Sequence, residues 1–449
     1  MPGFEGVKVT VMGLGHFGGG VGAVRWLAAQ GADVLVTDLS PPEKLENALA
    51  QIRDLVDSGR VRLRLGDHNV ADFTTRDLVV ASPAVPRPWD NRFLRAAGAA
   101  GHRVTTEIGL LVSHLPAGVR TIGVTGSAGK STTSAMVHHI LASTGRRAVL
   151  GGNIGGSLLP VLATEVGAAR FVVLELSSAM LHWLDAEGLA WSPHVAVLTN
   201  VSNNHTDWHG SFEHYQQCKR RILEHQGPGS VALFGRGAPD WPARPAVRAQ
   251  RVGDEVSGIL LPGAHNRRNA GVAVQAALAG DATLTHAQAL AAVRTFAGLP
   301  HRLEFVARAA GARWYNDSKC TTPEAALLAV AAFDEPGECG RSRVHLVAGG
   351  YDKGSDLTPI ARLAPDLAGL YTLGKTGPTL AANARAAGAQ VEECGFLGTA
   401  VERIAAKVGE GDVVLLSPAC ASWDQFANYE RRGELFRELV HGLEVRCAR

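Results

Sequence analysis

Thr121-Ile122-Gly123-Val124-Thr125-Gly126-Ser127-Ala128-Gly129-Lys130-Ser131-Thr132-Thr133 decides how the chain is read. An apolar, β-branched run feeds a short loop with two glycines. The loop opens into a helical pattern from Met136 to Thr144, closed by Gly145. A helix N-terminus presents N–H groups and the positive end of a dipole, so it attracts anions. Glycines let the backbone approach phosphate, Lys130 adds a point charge, and the Ser131 hydroxyl suits Mg²⁺. The expected nucleotide contacts are Gly126, Ser127, Ala128, Gly129, Lys130, Ser131 and Thr132. The plainer alternative is a strand–turn–helix junction with a surface lysine. The general phosphate-loop pattern has a glycine where this chain has Val124, so the loop is a variant.

The surrounding chain fits a set of α/β units. Its 449 residues suggest about three domains. A 46% hydrophobic content supports sizeable cores, and a net charge of +2 gives no field that selects nucleic acid or a membrane. Cys218, Cys320, Cys339, Cys394, Cys420 and Cys447 form no C-x-x-C pair, which favours free thiols over a disulfide framework or a zinc site. Phe4-Glu5-Gly6 leads straight into a strand, and no apolar run reaches the ~18–20 residues of a membrane span. The expectation is a cytoplasmic, monomeric enzyme with no leader.

Upstream, the strand Val7–Met12 runs into Gly13-Leu14-Gly15-His16-Phe17-Gly18, then a helix from Val21 to Gln30 and a strand Asp33–Asp38. This is a dinucleotide-type β–α–β unit with its acid about 20 residues beyond the glycines. Alone it predicts NAD, or another nucleotide packed at the same turn. Asp77–Ala81 is a further strand, and Ser82 follows at its carboxyl edge, where open α/β sheets bind ligands. Downstream of the phosphate loop, Gly151-Gly152-Asn153 follows a strand, Phe171–Glu175 ends in an acid before Ser177, and Val195–Asn200 precedes His205. An acid on an apolar strand costs several kcal/mol if left unpaired, so Glu175 is read as a metal ligand or as half of an ion pair. His205 reads as a ligand or a loop cap. Lys219, beside Arg220 and Arg221 on a helix spanning roughly 212–225, reads as part of a solvated face.

After His301-Arg302 a third unit follows, read as another parallel doubly wound sheet. Three of its strands run into Asp317-Ser318-Lys319-Cys320-Thr321, Tyr351-Asp352-Lys353 and Ser417–Ser422. Lysines and small hydroxyls at strand ends suit an acidic substrate, although such residues also build ordinary turns.

Together these segments resemble the Mur ligases, in the branch that adds glutamate. The resemblance runs from about Lys8 to Arg432. It rests on Thr125–Thr132 as the family's phosphate loop, with Ser127 and Ala128 substituted, and on Gly151–Gly155. It rests also on Glu175–Ser178 with Ala179 departing, Thr199–His205 with Asn204 departing, His265–Asn269 and Pro300–Arg302. The branch is marked by Asn316–Thr321 and Leu416–Phe426. The resemblance implies a Rossmann-like domain at 1–114 for the UDP-sugar substrate, a P-loop ATPase-like domain at 115–298 and a Rossmann-like glutamate domain at 299–449. It implies an ATP-dependent ligase that joins D-glutamate to UDP-N-acetylmuramoyl-L-alanine through an acyl phosphate, in peptidoglycan precursor synthesis. Lys130, Glu175, His205 and Lys219 would be catalytic. Ser131, Glu175, His205 and a carbamylated Lys219 would hold two Mg²⁺ ions. Asn266, Asn269, Arg302 and Asp317 would grip ATP. Gly15, Asp38, Ser82, Asn153 and Ser177 would contact the UDP substrate, and Lys319, Thr321, Lys353, Ser422 and Tyr429 the incoming glutamate. Three readings stay open beside it: an NAD-dependent oxidoreductase, an ATP-binding homologue without ligase activity, and a same-fold ligase for another amino acid, such as L-glutamate, or for a folate-type acceptor.

Overall fold

Strand β1 (Lys8–Met12) lies at the centre of the first sheet, with β2 (Asp33–Asp38), β3 (Val61–Leu65), β4 (Leu78–Ala81) and β5 (Arg103–Thr106) around it. All pairings are parallel, in the order β3-β2-β1-β4-β5. The computed structural model describes residues 3–15, 18–351 and 354–447.

A second parallel sheet comprises β6 (Arg120–Thr125), β7 (Ala148–Gly152), β8 (Phe171–Glu175), β9 (Val195–Asn200), β10 (Val231–Gly237) and β11 (Arg248–Arg251), in the order β11-β10-β9-β6-β8-β7. The apolar runs of β6, β8 and β9 fill its middle and are almost fully buried, as parallel strands covered on both faces require. Parallel pairing places the ends of these three strands, Thr125, Glu175 and Asn200, at one sheet edge.

These two sheets belong to one compact unit, Met1–Asp254 with Gly271–Ala292. One apolar cluster runs through it, from Val9, Val11 and Leu27 to Leu174, Leu198 and Phe234. Polar contacts also join the two parts: Ser157 Oγ donates to Glu107, and Thr106 Oγ1 donates to Glu187 at 2.9 Å.

The second unit, Glu255–Ala270 with Val293–Arg449, holds the third sheet. Its strands are β12 (Glu304–Ala309), β13 (Ala312–Asn316), β14 (Val344–Gly349), β15 (Gly369–Leu373), β16 (Val391–Gly395) and β17 (Val413–Leu416), in the order β12-β13-β17-β14-β15-β16. The sequence predicts a wholly parallel sheet here. The structure corrects that: β12 pairs antiparallel with β13. The two are joined by a two-residue turn whose φ angles, 51° at Ala310 and 86° at Gly311, are both positive, as a tight hairpin demands.

No helix among the described residues is long and apolar enough to cross a membrane.

Candidate functional site

The phosphate loop is shaped by steric necessity at two glycines. A Cβ at Gly126 would stand 1.9 Å from Thr199 Oγ1. Gly129 caps the helix Lys130–Ser143 at φ 78°, a left-handed conformation that suits glycine. The helix therefore begins at Lys130, six residues before the start read from the sequence, and its first turn faces the strand ends.

Asn200, at the end of β9, holds the loop. Its Oδ1 accepts from the Ala128 N–H at 3.0 Å, its Nδ2 donates to the Ala128 carbonyl at 3.0 Å, and its own carbonyl accepts from Ser127 N–H at 2.9 Å. Ser127 Oγ accepts from Ser202 N–H at 2.9 Å and lies 2.8 Å from the Tyr215 hydroxyl. The amides of Ser127 and Ala128 are thus committed to β9. The donors aimed at an anion come from the opening helix turn, Lys130 onward. Lys130 Nζ reaches back to the Ser127 carbonyl at 3.2 Å.

Glu175 is 1% exposed at the end of β8. Its Oε1 accepts from Asn153 Nδ2 at 3.0 Å, while its buried Oε2 has no hydrogen-bond partner. An unsatisfied buried carboxylate oxygen is costly, and a hard cation ligated by oxygens would satisfy it. Glu175, the Ser131 hydroxyl and phosphate oxygens form a donor set of that kind, so the residues present fit Mg²⁺. Glu175 makes no direct ion pair among the described residues, although its charge favours the ammonium form of Lys219.

Lys219 overturns the solvated-face reading. It is 1% exposed, on the helix Phe212–Arg220 capped by Ser211, because Tyr215, Cys218 and Lys219 share the helix face turned inward. Its Nζ donates to the Gly126 carbonyl at 2.7 Å and lies 4.6 Å from the centre of the Tyr215 ring. Burial pushes the ammonium down to about 7, helped by the charge of Lys130. The helix also stops at Arg220 and continues as a short 3₁₀ turn, Arg221–Leu223.

His205 is exposed and sits at φ 53° as the cap of a one-turn helix, Thr206–His209. Partial desolvation of the ring and the nearby charges of Lys130 and Lys219 lower its pKa, so its ring nitrogens suit ligation. Ser177 Oγ caps the helix Ser178–Ala186 by accepting from Met180 N–H at 3.1 Å.

In the first sheet the strand order reverses between β1 and β4, which makes their carboxyl ends a switch point. Gly13 and Ser82 meet there, with 3.0 Å between a Cβ built at Gly13 and the Ser82 Cβ. Asp38 accepts from the N–H groups of Leu14, at 2.9 Å, and Ser40, at 2.8 Å, so it pins the turn that carries Gly15. His16 and Phe17 lie outside the described residues.

In the second unit, Asp317 is buried at the end of β13. It accepts from Ser417 Oγ at 2.8 Å and Leu303 N–H at 3.1 Å, and burial pushes its carboxyl up to about 6. Arg432, missed by the sequence reading, organises the neighbouring loops. Its guanidinium donates to Ser318 Oγ at 3.0 Å and to the carbonyls of Ser318 at 2.8 Å, Cys420 at 3.1 Å and Ala421 at 3.3 Å. Ser318 Oγ donates onward to the Tyr429 carbonyl at 2.7 Å. Lys319 Nζ lies 5.3 Å from the centre of the Tyr429 ring, and Ser422 is buried beside Ala421. Thr321 is partly exposed on the loop before the Thr322 helix cap, and Arg302 is exposed. Asn266 is buried, donating to the Pro262 carbonyl at 2.8 Å, and Asn269 lies one turn along the same helix, with 3.5 Å from its Nδ2 to Asn266 Oδ1. Lys353 lies outside the described residues.

Comparison with known proteins sets this geometry in context. Residues 7–106 match the Mur ligase MurD-like N-terminal domain, 124–253 the Mur ligase middle domain and 301–420 the Mur ligase glutamate ligase domain. The UDP-N-acetylmuramoylalanine–D-glutamate ligase of Roseiflexus sp. (strain RS-1) is 36% identical, over 98% of this chain and 99% of that protein. The chain belongs to the Mur ligase family. The enzyme of the same name from Anaeromyxobacter dehalogenans (strain 2CP-C) is 37% identical over 98% of each chain. The crystal structure of MurF from Acinetobacter baumannii shares the fold, with a TM-score of 0.55 and 15% identity over 96% of this chain and 93% of that one. For this Mur ligase the glycine turn after β1 falls within the MurD-like N-terminal match, which removes the ground for the oxidoreductase reading.

Proposed function

We propose that this Mur ligase adds D-glutamate to UDP-N-acetylmuramoyl-L-alanine, driven by ATP, in the synthesis of a peptidoglycan precursor. The observation that carries the reading is the convergence, at one sheet edge, of the Lys130 helix turn, the unsatisfied Glu175 oxygen and the buried Lys219. The full-length likeness to ligases of that name supports the choice of substrates.

A carboxylate is a poor electrophile. Phosphorylating the terminal carboxylate of the UDP substrate with ATP makes an acyl phosphate, which the amine of glutamate attacks as phosphate leaves. Transfer of a phosphoryl group between anions needs positioning and positive charge more than covalent help. Lys130 and the first N–H groups of its helix supply both for the β/γ-phosphates. Mg²⁺ at Ser131 and Glu175, and a second ion near His205 and Lys219, would neutralise charge that develops on the phosphate oxygens. We propose that Lys219 is carbamylated: its neutral amine adds to CO₂, a C–N bond forms, and the amine proton leaves to solvent. An amine held near 7 has a neutral fraction available for that addition. Asn266, Asn269, Arg302 and Asp317 contact ATP in this reading. Gly15, Asp38, Ser82, Asn153 and Ser177 face the UDP substrate. Lys319, Thr321, Lys353, Ser422 and Tyr429 receive glutamate. The domains run 1–114, 115–298 and 299–449, and the enzyme works as a monomer in the cytoplasm, a reducing setting that suits its free thiols.

The test is direct. Purified protein receives ATP, Mg²⁺ and UDP-N-acetylmuramoyl-L-alanine, with D-glutamate, L-glutamate, D-aspartate or meso-diaminopimelate. Phosphate release and a product mass with D-glutamate alone are expected. Product with another amino acid replaces the substrate assignment, and no ADP release with any of them leaves an ATP-binding homologue. Lys130→Ala should abolish product formation.

A further inference from the structure

The helix Ser178–Ala186, which begins just after Glu175, packs beside the helix Phe212–Arg220, which carries Lys219. His182 lies on the first. His214 and Cys218 lie one turn apart on the second, so their side chains share a face. Cys218 Sγ is 3.5 Å from His214 Nε2 and 3.9 Å from His182 Nδ1, and the three donor atoms all fall within 4.8 Å of one another. Zinc–sulfur and zinc–nitrogen bonds of ~2.3 and ~2.0 Å at a tetrahedral angle put sulfur about 3.5 Å from each nitrogen. We infer that His182, His214 and Cys218 form a site for a borderline-soft divalent transition metal of the Zn²⁺ class, separate from the oxygen-lined position at Glu175.

The surroundings support this reading. A metal-bound histidine generally donates its other ring N–H to a fixed acceptor. His214 bound through Nε2 would carry its proton on Nδ1, and that atom lies 3.1 Å from His209 Nδ1. His209 then holds its own proton on Nε2, 2.9 Å from Ser178 Oγ. The chain of tautomers is consistent from end to end. Trp89 stands over the site, its ring 4.8 Å from that of His214 and 5.3 Å from that of His182. Both histidines are only half-buried, so the cluster is not sealed from solvent. Arg221 Nη1 makes long contacts with His182 Nδ1 at 3.4 Å and Cys218 Sγ at 3.8 Å, while Nη2 pairs with Asp185 at 2.9 Å. A metal ion replaces those two long contacts, and the ion pair with Asp185 keeps Arg221 beside the site. Thiolates select metals of this class over Mg²⁺. On binding, the S–H bond breaks, an S–metal bond forms, and one proton leaves to the buffer. The ion then ties together the two helices that carry the groups nearest Glu175 and Lys219.

The full-length protein, freed of metal by a chelator and without nucleotide, is titrated with Co²⁺. One equivalent should give tetrahedral d–d bands with a thiolate-to-cobalt charge-transfer band, and Zn²⁺ should displace it. Cys218→Ser should remove the charge-transfer band, and His182→Gln should weaken Zn²⁺ binding at least ten-fold. A second, exposed cluster, Asp185, Glu224 and His225, is the competing location. His225→Gln should leave the band intact. Absence of the charge-transfer band in the wild-type protein overturns the proposal whether or not the variants fold. So does its persistence in Cys218→Ser, or its loss in His225→Gln.

Discussion

Lys219 Nζ sits 2.7 Å from the carbonyl oxygen of Gly126, so a nearly fully buried amine touches the loop proposed to hold phosphate. If the amine carries a carbamate, its role is as an anion and a metal ligand. Lys219→Arg keeps a cation and should still lower turnover by on the order of 10²–10³-fold. Intact-protein mass spectrometry under bicarbonate should show an added carboxyl group in the wild type, absent from the variant. Wild-type turnover in Lys219→Arg would remove the carbamate.

Glu175→Gln should separate metal binding from folding. The amide replaces a buried charge whose Oε2 lacks a partner, so the melting temperature should hold or rise. The Mg²⁺ concentration for half-maximal activity should rise at least ten-fold. An unchanged Mg²⁺ titration would take Glu175 out of the metal site.

Asn200→Ala removes both side-chain hydrogen bonds to Ala128 and loosens the phosphate loop on β9, which keeps the bonds from Ser127 N–H to the residue 200 carbonyl and from Thr199 Oγ1 to the Ala128 carbonyl. The expected loss of stability is about 1–3 kcal/mol. The KM for ATP should rise about ten-fold, with a smaller effect on the KM for the UDP substrate. Urea melts and initial rates measure the two effects.

Asp317 has a carboxyl raised to about 6 from 3.8, so the folded state holds its proton after the unfolded chain has released it. Its contribution to stability is complete below pH 3.8 and is lost as pH rises toward 6. Wild-type protein should lose at most about 3 kcal/mol relative to Asp317→Asn across that window. Parallel slopes for the two proteins in urea melts between those pH values would contradict the raised carboxyl.

Much of the site is legible because β6, β8 and β9 are continuous apolar runs that end in polar residues. Parallel strands with such ends bring Thr125, Glu175 and Asn200 to one edge. The edge strands were harder to see. β5, β11 and β16 are short and carry few apolar residues, so no period marks them. The antiparallel β12 depends on the Ala310-Gly311 turn, whose alanine gives little sign of a positive φ. The burial of Lys219 follows from the way one polar helix is rotated, and Glu213-His214-Tyr215-Gln216-Gln217-Cys218-Lys219-Arg220 has too few apolar residues to declare its inner face. Arg432 was hidden because its partners come from loops more than a hundred residues and about a dozen residues away in sequence.

The acceptors around Arg432 are carbonyls and a hydroxyl, all of them neutral. Burial lowers its pKa to about 10, which leaves it charged at neutral pH. The loops that follow β13 and β17 are therefore stitched together by an ion whose charge is solvated by dipoles and still felt outside them. That field reaches further than any hydrogen bond. A carboxylate that entered between these loops would meet that charge, and Asp424, whose own charge acts on Arg432, offsets part of it.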